Sequence, residues 1–240
     1  YVVPIYLVCK KYFNENALFA FIMFVSSMSF WSFGINGVRN GLATSIFLLG
    51  IYFYDKKWLL YGLILLSLSF HKSLVLPFIA FVIAMRVTNT ILLIRIWLVL
   101  VVLSYVFGSQ METIMGNFLL NSGLVEDKRI DTYFSDEIDG AFMERNYRID
   151  FIIYSGIAIL LAYYYKYKKG FQDVFYDRIL NTYIIANAVW IVLIYAAYTN
   201  RIAYLSWFIM PLVLVYPLLK QKDLVRNQNL FIGLFILGSL

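Results

Sequence analysis

The stretch Trp31-Ser32-Phe33-Gly34-Ile35-Asn36-Gly37-Val38-Arg39-Asn40-Gly41-Leu42-Ala43 closes one apolar run and opens the next. A polar turn, Asp55-Lys56-Lys57, separates that second run from a third, which ends at Ser69-Phe70-His71-Lys72-Ser73. Apolar runs with polar residues at their ends are typical of helices that cross a membrane. Because each run reverses the direction of the chain, the pattern predicts that Arg39 and His71 lie on one side of the membrane.

The composition places the chain in the membrane class. Hydrophobic residues make up 62% of the 240 residues, charged residues make up 14%, and the mean hydropathy is +0.76. A soluble globular domain carries about 45–50% apolar and about 25% charged residues. The runs approach the ~20 residues that cross a bilayer core and hold few prolines, which favours helices over a β-barrel. We therefore predict an all-α, polytopic transmembrane bundle of about eight to ten spans, forming one membrane domain over residues 1–240.

The apolar runs define the predicted spans. They cover residues 17–33, 38–54, 58–70, 74–85, 91–107, 151–165, 179–198 and 202–219, and a ninth is expected to begin near Asn229. The spans 58–70 and 74–85 are shorter than a bilayer core. Residues 1–9 are typical of the end of a preceding helix. Since the chain starts at Tyr1 and stops within an apolar run, we expect it to be a piece of a longer protein.

The basic residues are divided unequally between alternate loops. Thirteen of the twenty Lys and Arg residues fall on one side of the predicted bundle and seven on the other. Cytoplasmic loops carry the excess of Lys and Arg, so the side with thirteen is predicted to be cytoplasmic. Topology then explains the formal charge of +6, and no nucleic-acid partner is expected. The side predicted to face outward holds Arg39, Lys72, Lys128, Arg129, Arg145, Arg148 and Arg201.

Three residues on the outward side are candidates for function, because charge at a membrane boundary is costly unless it has a role. Arg39 begins a helix after a glycine-containing turn, where free backbone N–H groups favour a phosphate or pyrophosphate. His71 could act as a general base or bind a sugar. Arg201 lies in a predicted tight turn, 199–201, between two spans. The alternative for the arginines is snorkelling to lipid headgroups, and for His71 a structural or interfacial role.

The segment 108–150 is predicted to be a long extracytoplasmic loop between spans. Loops of this length are usually functional or disordered. It contains nine acidic residues, and its aromatics could stack on sugar rings, although a solvated loop is the simpler interpretation for most of its acids. The aromatics are Tyr133, Phe134, Phe142 and Tyr147.

Several function classes are excluded by missing motifs. The sequence has no Walker-type phosphate loop, no Gly-x-Ser-x-Gly and no His-Glu-x-x-His. His71 is the only histidine and Cys9 the only cysteine, so neither a metal site nor an intrachain disulfide is expected.

Two short motifs resemble the EpsG family, which is related to the Wzy-type O-antigen and capsule polymerases. The first is Val38-Arg39-Asn40-Gly41-Leu42-Ala43 followed, after an apolar helix and the turn at Lys56-Lys57, by Ser69-Phe70-His71-Lys72-Ser73. The second is Thr199-Asn200-Arg201-Ile202 before a tyrosine-rich apolar helix. The resemblance does not extend to the loop 108–150.

The resemblance implies a GT-C-like membrane glycosyltransferase of the bacterial inner membrane, with its active face outward. Such enzymes join oligosaccharide repeat units carried on undecaprenyl pyrophosphate and need no nucleotide sugar, cofactor or obligatory metal. It assigns Arg39, His71 and Arg201 to catalysis, and we add their polar neighbours Asn40, Lys72 and Asn200 as substrate-binding residues. The implied partners are the lipid-linked oligosaccharide, the bilayer, and a chain-length regulator and flippase of the same pathway.

Three other functions remain open at this stage. A flippase for the same lipid-linked oligosaccharide would also use arginines and aromatics, although its charges should line a path through the membrane midplane. A membrane O-acyltransferase could use His71 as base and would leave chain length unchanged. A non-catalytic scaffold of the polysaccharide machinery would need neither Arg39 nor His71 beyond stability.

Overall fold

A computed structural model describes residues 1–121, 147–196 and 199–221, together with single positions at 224, 225, 227, 230 and 233. The regular structure of the described residues is helical, as the sequence predicts. The helices are α1 (Val2–Phe13), α2 (Ala17–Val25), α3 (Met28–Ile35), α4 (Val38–Tyr52), α5 (Lys57–Phe70), α6 (Val75–Arg86), α7 (Thr90–Asn121), α8 (Ile149–Tyr163), α9 (Val174–Val192), α10 (Thr199–Trp207) and α11 (Met210–Lys220).

Helices α4 and α5 form a tight antiparallel pair. A Cβ atom on Gly50 would lie 2.9 Å from Ile64 Cγ1 and 3.0 Å from the Leu60 carbonyl oxygen, so the two helices approach closely because residue 50 has no side chain. Small residues allow this kind of close packing between apolar helices. The turn between them returns the chain, so the start of α4 and the end of α5 lie together.

One end of the bundle, here called the lysine end, is defined by contacts among Lys11, Tyr54, Met85 and Phe175. Lys11 Nζ lies 2.7 Å from Asp55 Oδ2, and the Tyr54 and Phe175 ring centroids are 5.0 Å apart. The Tyr54 hydroxyl approaches Met85 Sδ at 3.9 Å. The ends of α1, α4 and α6 therefore meet the start of α9 here. Basic residues at the helix termini of this end are Lys10, Lys11, Lys56, Lys57, Arg86, Lys166, Lys168, Lys169, Arg178 and Lys220.

The opposite end, here called the arginine end, is where the start of α4 meets the end of α5. It holds Arg39, Lys72, Arg148 and Arg201. The structure thus separates the two sets of basic residues that the loop pattern predicts, as far as those residues are described. Lys128, Arg129 and Arg145 lie outside the described residues, as do Lys222 and Arg226 of the set of thirteen.

A buried polar cluster joins four helices near the C-terminal end of α9. Asn187, which is fully buried, accepts a hydrogen bond from Trp97 Nε1 at 2.8 Å. Its amide nitrogen donates to Ser155 Oγ at 3.1 Å and to Ser206 Oγ at 3.0 Å. Trp207 Nε1 also donates to Ser155 Oγ, at 2.8 Å. Because α7, α8, α9 and α10 each contribute a partner, the cluster fixes their relative positions.

The number of helices able to cross a membrane is smaller than predicted. Within the described residues, three segments are long and apolar enough by length and composition: Thr90–Gly108, Ile149–Lys168 and Thr199–Lys220. A fourth results if Val2–Val25 and Met28–Ile35 count as one span bent by 66°. The prediction of eight to ten spans exceeds this in part because α4, α5 and α6 have only 15, 14 and 12 residues. At 1.5 Å per residue, each is shorter than a ~30 Å core. Helix α9, with 19 residues, is also not among the candidate segments, and the ninth span predicted near Asn229 lies mostly outside the described residues.

Two predicted spans are interrupted by breaks. The span 17–33 is divided between α2 and α3 at Ser26 and Ser27, whose hydroxyls bond carbonyl oxygens of the preceding turn at 2.9 and 2.7 Å. The span 202–219 is divided at residues 208–209, since Pro211, in the first turn of α11, has no N–H to continue the ladder of α10.

Three predicted connections are also corrected. Residues 199–201 form the first turn of α10 instead of a tight turn between spans. Helix α7 continues past a non-helical Phe107 to Asn121, so the segment 108–150 begins as helix, and α8 already starts at Ile149. Residues 122–146 of that segment lie outside the described residues. The segment 1–9 does not end as a helix at Cys9, because α1 extends from Val2 to Phe13.

Candidate functional site

The start of α4 holds Arg39 beside a close contact between two helices. A Cβ atom on Gly41 would lie 2.9 Å from the carbonyl oxygen of Phe33, so α3 packs directly on the first turn of α4. Gly37 precedes that turn and leaves its first N–H groups without helical partners. The Arg39 side chain is exposed and, within the described residues, makes no ion pair or hydrogen bond. Arg39 therefore presents a guanidinium group beside free backbone donors.

The end of α5 is brought to the start of α4 by a chain of three polar side chains. His71 Nδ1 lies 2.6 Å from Ser73 Oγ, and Ser73 Oγ donates to Asn40 Oδ1 at 3.2 Å. All three residues are half-buried. Two residues that the sequence assigns to the site, Asn40 and His71, are thus joined across 31 positions of the chain by one hydroxyl group.

The local backbone explains why His71 is held here. Helix α5 ends because His71 has the extended conformation φ −153°, ψ 116°. A single 3-10 turn, Lys72–Leu74, follows, and the backbone N–H of Ser73 lies 3.3 Å from His71 Nδ1. Leu74 is fully buried and anchors the turn. Lys72, which the sequence also assigns to the site, is exposed.

The start of α10 lies at the same end of the bundle. Trp190, near the end of α9, donates from Nε1 to Thr199 Oγ1 at 2.9 Å. Asn200 Oδ1 accepts a hydrogen bond from the backbone N–H of Arg201 at 2.9 Å. Asn200 is half-buried and Arg201 is exposed. Asn200 is therefore engaged in ordering the first turn of α10, in addition to any contact with a substrate.

Helix α10 connects Arg201 to the elements that carry Arg39 and His71. It packs against α3, where the Tyr204 and Phe33 ring centroids are 5.7 Å apart, and against α6, which follows His71 in the chain. Since Phe33 also contacts Gly41, one aromatic residue lies between α4 and α10. The structure thus places Arg39, His71 and Arg201 at one end of the bundle, on adjacent elements.

A further arginine at this end was not singled out from the sequence. Arg148 makes two hydrogen bonds to Asp150, at 2.9 and 2.7 Å, and its guanidinium carbon lies 3.6 Å from the centre of the Phe151 ring. An arginine paired in this way already has a counter-ion and a stacking partner. Arg148 therefore already has an acidic partner, whereas no acidic side chain pairs with Arg39 within the described residues.

Ser73 is the other residue that the sequence analysis missed. A serine two positions after a histidine is common, and no spacing rule links Ser73 to Asn40, 33 positions earlier. Only the antiparallel pairing of α4 and α5 brings them together. Within the described residues, no group of three His, Cys, Asp or Glu side chains is arranged to hold a metal ion. The acidic residues at positions 126–144 of the predicted long loop lie outside the described residues.

The chain matches a known protein family along nearly its whole length. The model of the EpsG family matches residues 1–239, which is essentially the whole chain. No curated protein and no solved structure matches the chain significantly.

Proposed function

The chain belongs to the EpsG family, and from this premise we propose that it is a polysaccharide polymerase. Family membership and the apolar helices support a membrane protein of polysaccharide biosynthesis. In the proposed reaction, it joins oligosaccharide repeat units carried on undecaprenyl pyrophosphate into longer chains. The observation that carries the proposal is the Asn40–Ser73–His71 chain of hydrogen bonds, which holds a potential base at the same end as Arg39 and Arg201.

The proposed reaction is a displacement at the sugar carbon attached to the pyrophosphate. A hydroxyl oxygen of the acceptor sugar forms the new bond to this carbon. The bond from the carbon to the pyrophosphate oxygen breaks, and its electron pair leaves with the lipid pyrophosphate. The hydroxyl proton passes to a base. The protein must therefore supply positive charge on one side of the reacting carbon and a base on the other.

Arg39 is suited to the pyrophosphate. Its exposed guanidinium lies at a helix start, where the first N–H groups and the helix dipole also favour an anion. Negative charge grows on the leaving oxygen as the bond breaks, so these donors stabilise the transition state more than the ground state. Arg201 also lies in the first turn of its helix, α10, and is the second proposed pyrophosphate contact.

His71 is the proposed base. It is half-buried, and its Nδ1 is already held by Ser73, so the ring has a fixed orientation before substrate binds. The neutral imidazole ring of a histidine can accept a proton. Lys72 follows the proposed base His71 in the chain, and Asn200 precedes Arg201. Both are proposed to bind the substrate.

The orientation in the membrane is part of the proposal. The lysine end carries the larger number of basic residues and fits the cytoplasmic side, which leaves the arginine end outside. An inner-membrane location with an outward active face, a GT-C-like architecture and action without a metal ion belong to the same proposal. A chain-length regulator and a flippase of the same pathway are the proposed protein partners.

The test uses the full-length protein in its own host, with Arg39→Ala as the variant and Arg86→Ala as the matched control. Arg86 is also an exposed arginine at a helix terminus, but it lies at the lysine end. After equal membrane abundance has been confirmed, surface polysaccharide is separated by size on a gel. We expect Arg39→Ala to reduce long chains to single lipid-linked repeats on the outer leaflet and Arg86→Ala to leave chain length unchanged.

The other outcomes would identify a different function. Normal chain length in Arg39→Ala would contradict the proposal. Repeat units trapped on the inner leaflet would indicate a flippase, and a loss of acyl groups with normal chain length would indicate an O-acyltransferase.

A further inference from the structure

We infer that Ser73 is a positioning residue that, together with Asn40, fixes the proton of the His71 ring on Nδ1. This inference rests on the proposed function, in which His71 is the base that receives the proton of the acceptor hydroxyl. It concerns a residue with no contact to the reacting atoms, acting only through the state of the ring.

The argument begins with the single proton of the Ser73 hydroxyl. Asn40 Oδ1 is an acceptor only, so the bond from Ser73 Oγ at 3.2 Å uses that proton. Ser73 Oγ can then only accept from the ring nitrogen 2.6 Å away. His71 Nδ1 must therefore carry a hydrogen, and in the neutral ring the lone pair lies on Nε2.

The reverse arrangement has a different requirement. If Asn40 turned its amide group by half a turn, its nitrogen would donate to Ser73 Oγ, and the Ser73 proton would point to His71 Nδ1. The backbone N–H of Ser73, which lies 3.3 Å from Nδ1, would then donate to Nδ1 as well. The short contact of 2.6 Å is compatible with either direction, so among these three side chains the orientation of Asn40 decides which ring nitrogen is protonated, and its Oδ1 is the atom that faces Ser73.

The two arrangements differ in catalytic capacity. With the proton on Nδ1, Nε2 has the lone pair and can accept the proton of the acceptor hydroxyl. The resulting imidazolium keeps its Nδ1–H bond to Ser73 Oγ, so no proton has to move within the relay. With the proton on Nε2, the ring would face the substrate as a donor and could not act as base in the first step.

The described charged groups at this end are the same in all Ser73 variants, and they are cations apart from Asp150, which is paired with Arg148. Lys72 follows His71 in the chain, Arg39 lies next to Asn40 on α4, and Arg201 opens α10, which packs on α6. Any effect of these groups on His71 is therefore common to wild type and variant, and a change between the two reports on Ser73.

The first experiment observes the ring directly and needs no activity. The 240 residues contain a single histidine, so 15N- and 13C-histidine labelling of the full-length protein, purified with a tag free of histidine, gives a simple ring spectrum. His71→Gln assigns the signals by their loss. We expect wild type to show Nδ1–H at neutral pH and Ser73→Thr to retain it. In Ser73→Ala the backbone N–H of Ser73 can donate to Nδ1, so we expect the Nε2–H form to rise. A wild-type ring protonated on Nε2 overturns the inference.

The second experiment measures the pH dependence of polymerisation by the full-length protein in proteoliposomes supplied with lipid-linked repeat units. If Ser73 accepts from Nδ1–H, it stabilises the imidazolium more than the neutral ring, so Ser73→Ala should move the acid limb of the rate profile down by about one pH unit. Ser73→Thr should restore the wild-type limb. An upward shift would show the reverse proton arrangement, and an unchanged limb would show that Ser73 has only a packing role. Absence of polymerisation by wild type would instead reject the proposed function, while the ring spectrum would still judge the role of Ser73.

Discussion

Replacement of Asn187 by leucine should destabilise the bundle by a measurable amount. The change keeps a side chain of similar size but removes the three hydrogen bonds, at 2.8, 3.1 and 3.0 Å, that join α9 to Trp97, Ser155 and Ser206. Hydrogen bonds between membrane helices contribute about 0.6 kcal/mol each on average and at most about 1.7 kcal/mol. Three such bonds give a loss of about 2 kcal/mol in the free energy of unfolding. For a chain of this size, that corresponds to a fall of about 4–8 °C in melting temperature. The substitution also leaves Trp97 Nε1 without its acceptor.

The assay is thermal unfolding of the purified protein in detergent, followed by tryptophan fluorescence. Asn36→Leu is the matched control, because Asn36 is exposed and the same substitution there should change the melting temperature little. Trp97→Phe tests the same bond from its other side, with Trp58→Phe as control, since Trp58 is 74% exposed. The double variant of Asn187 and Trp97 should lose less than the sum of the single losses. Strictly additive losses, or an unchanged melting temperature in Asn187→Leu, would refute the role assigned to the cluster.

Two further predictions follow from the geometry. In Gly41→Ala the new Cβ atom would lie 2.9 Å from the carbonyl oxygen of Phe33, so α3 and α4 must separate. We expect the free energy of unfolding to fall by about 1–3 kcal/mol and the polysaccharide chains to be shorter. Gly62→Ala is the control, because a Cβ atom there would meet open space among the described residues; it should be neutral or slightly stabilising. An equal change in stability in Gly41→Ala and Gly62→Ala would contradict the close contact at Gly41. The hydrogen bond from Lys11 lowers the pKa of Asp55 below its usual range, and the charge of Lys11 adds to this effect. The pair should therefore stabilise the fold above the unfolded pKa of Asp55 and cease to do so as the pH falls through the folded pKa. Lys11→Met should then lose less melting temperature between pH 6 and pH 3 than wild type does. An equal loss in the two proteins would show that the pair contributes nothing to stability.

Much of the helical framework could be predicted from the sequence, because it depends on short-range signals. The polar turn at residues 55–57 marks the hairpin of α4 and α5, and from it the common side of Arg39 and His71 follows. Other boundaries depend on signals that are weak in a sequence. Asp173 caps α9 by accepting from the Tyr176 N–H at 2.8 Å, which starts the helix five residues before the predicted Ile179. The break at Ser26 and Ser27 lies within an apolar run, and serine is tolerated in helices.

The candidate site shows the same division between local and tertiary information. Arg39 was identified because it stands at a helix start, which is a local property. The link between Asn40 and His71 through Ser73 depends on how two helices pair, and the cluster around Asn187 depends on four helices. A single asparagine inside an apolar run gives no sign of its partners. Tertiary hydrogen bonds of this kind therefore could not be predicted from spacing alone.

The position of α10 and α11 has a consequence for biogenesis. Their combined segment, Thr199–Lys220, is 83% buried inside the protein, whereas the segment Thr90–Gly108 of α7 is 22% buried. The ribosome therefore makes the described helices α1 to α9 before it makes the pair that packs among them. Until that pair arrives, the nascent protein must hold an open groove in which Asn187 and Ser155 lack two of their partners, Ser206 and Trp207. A protein truncated before Thr199 should consequently remain a substrate for membrane insertion chaperones and quality-control proteases.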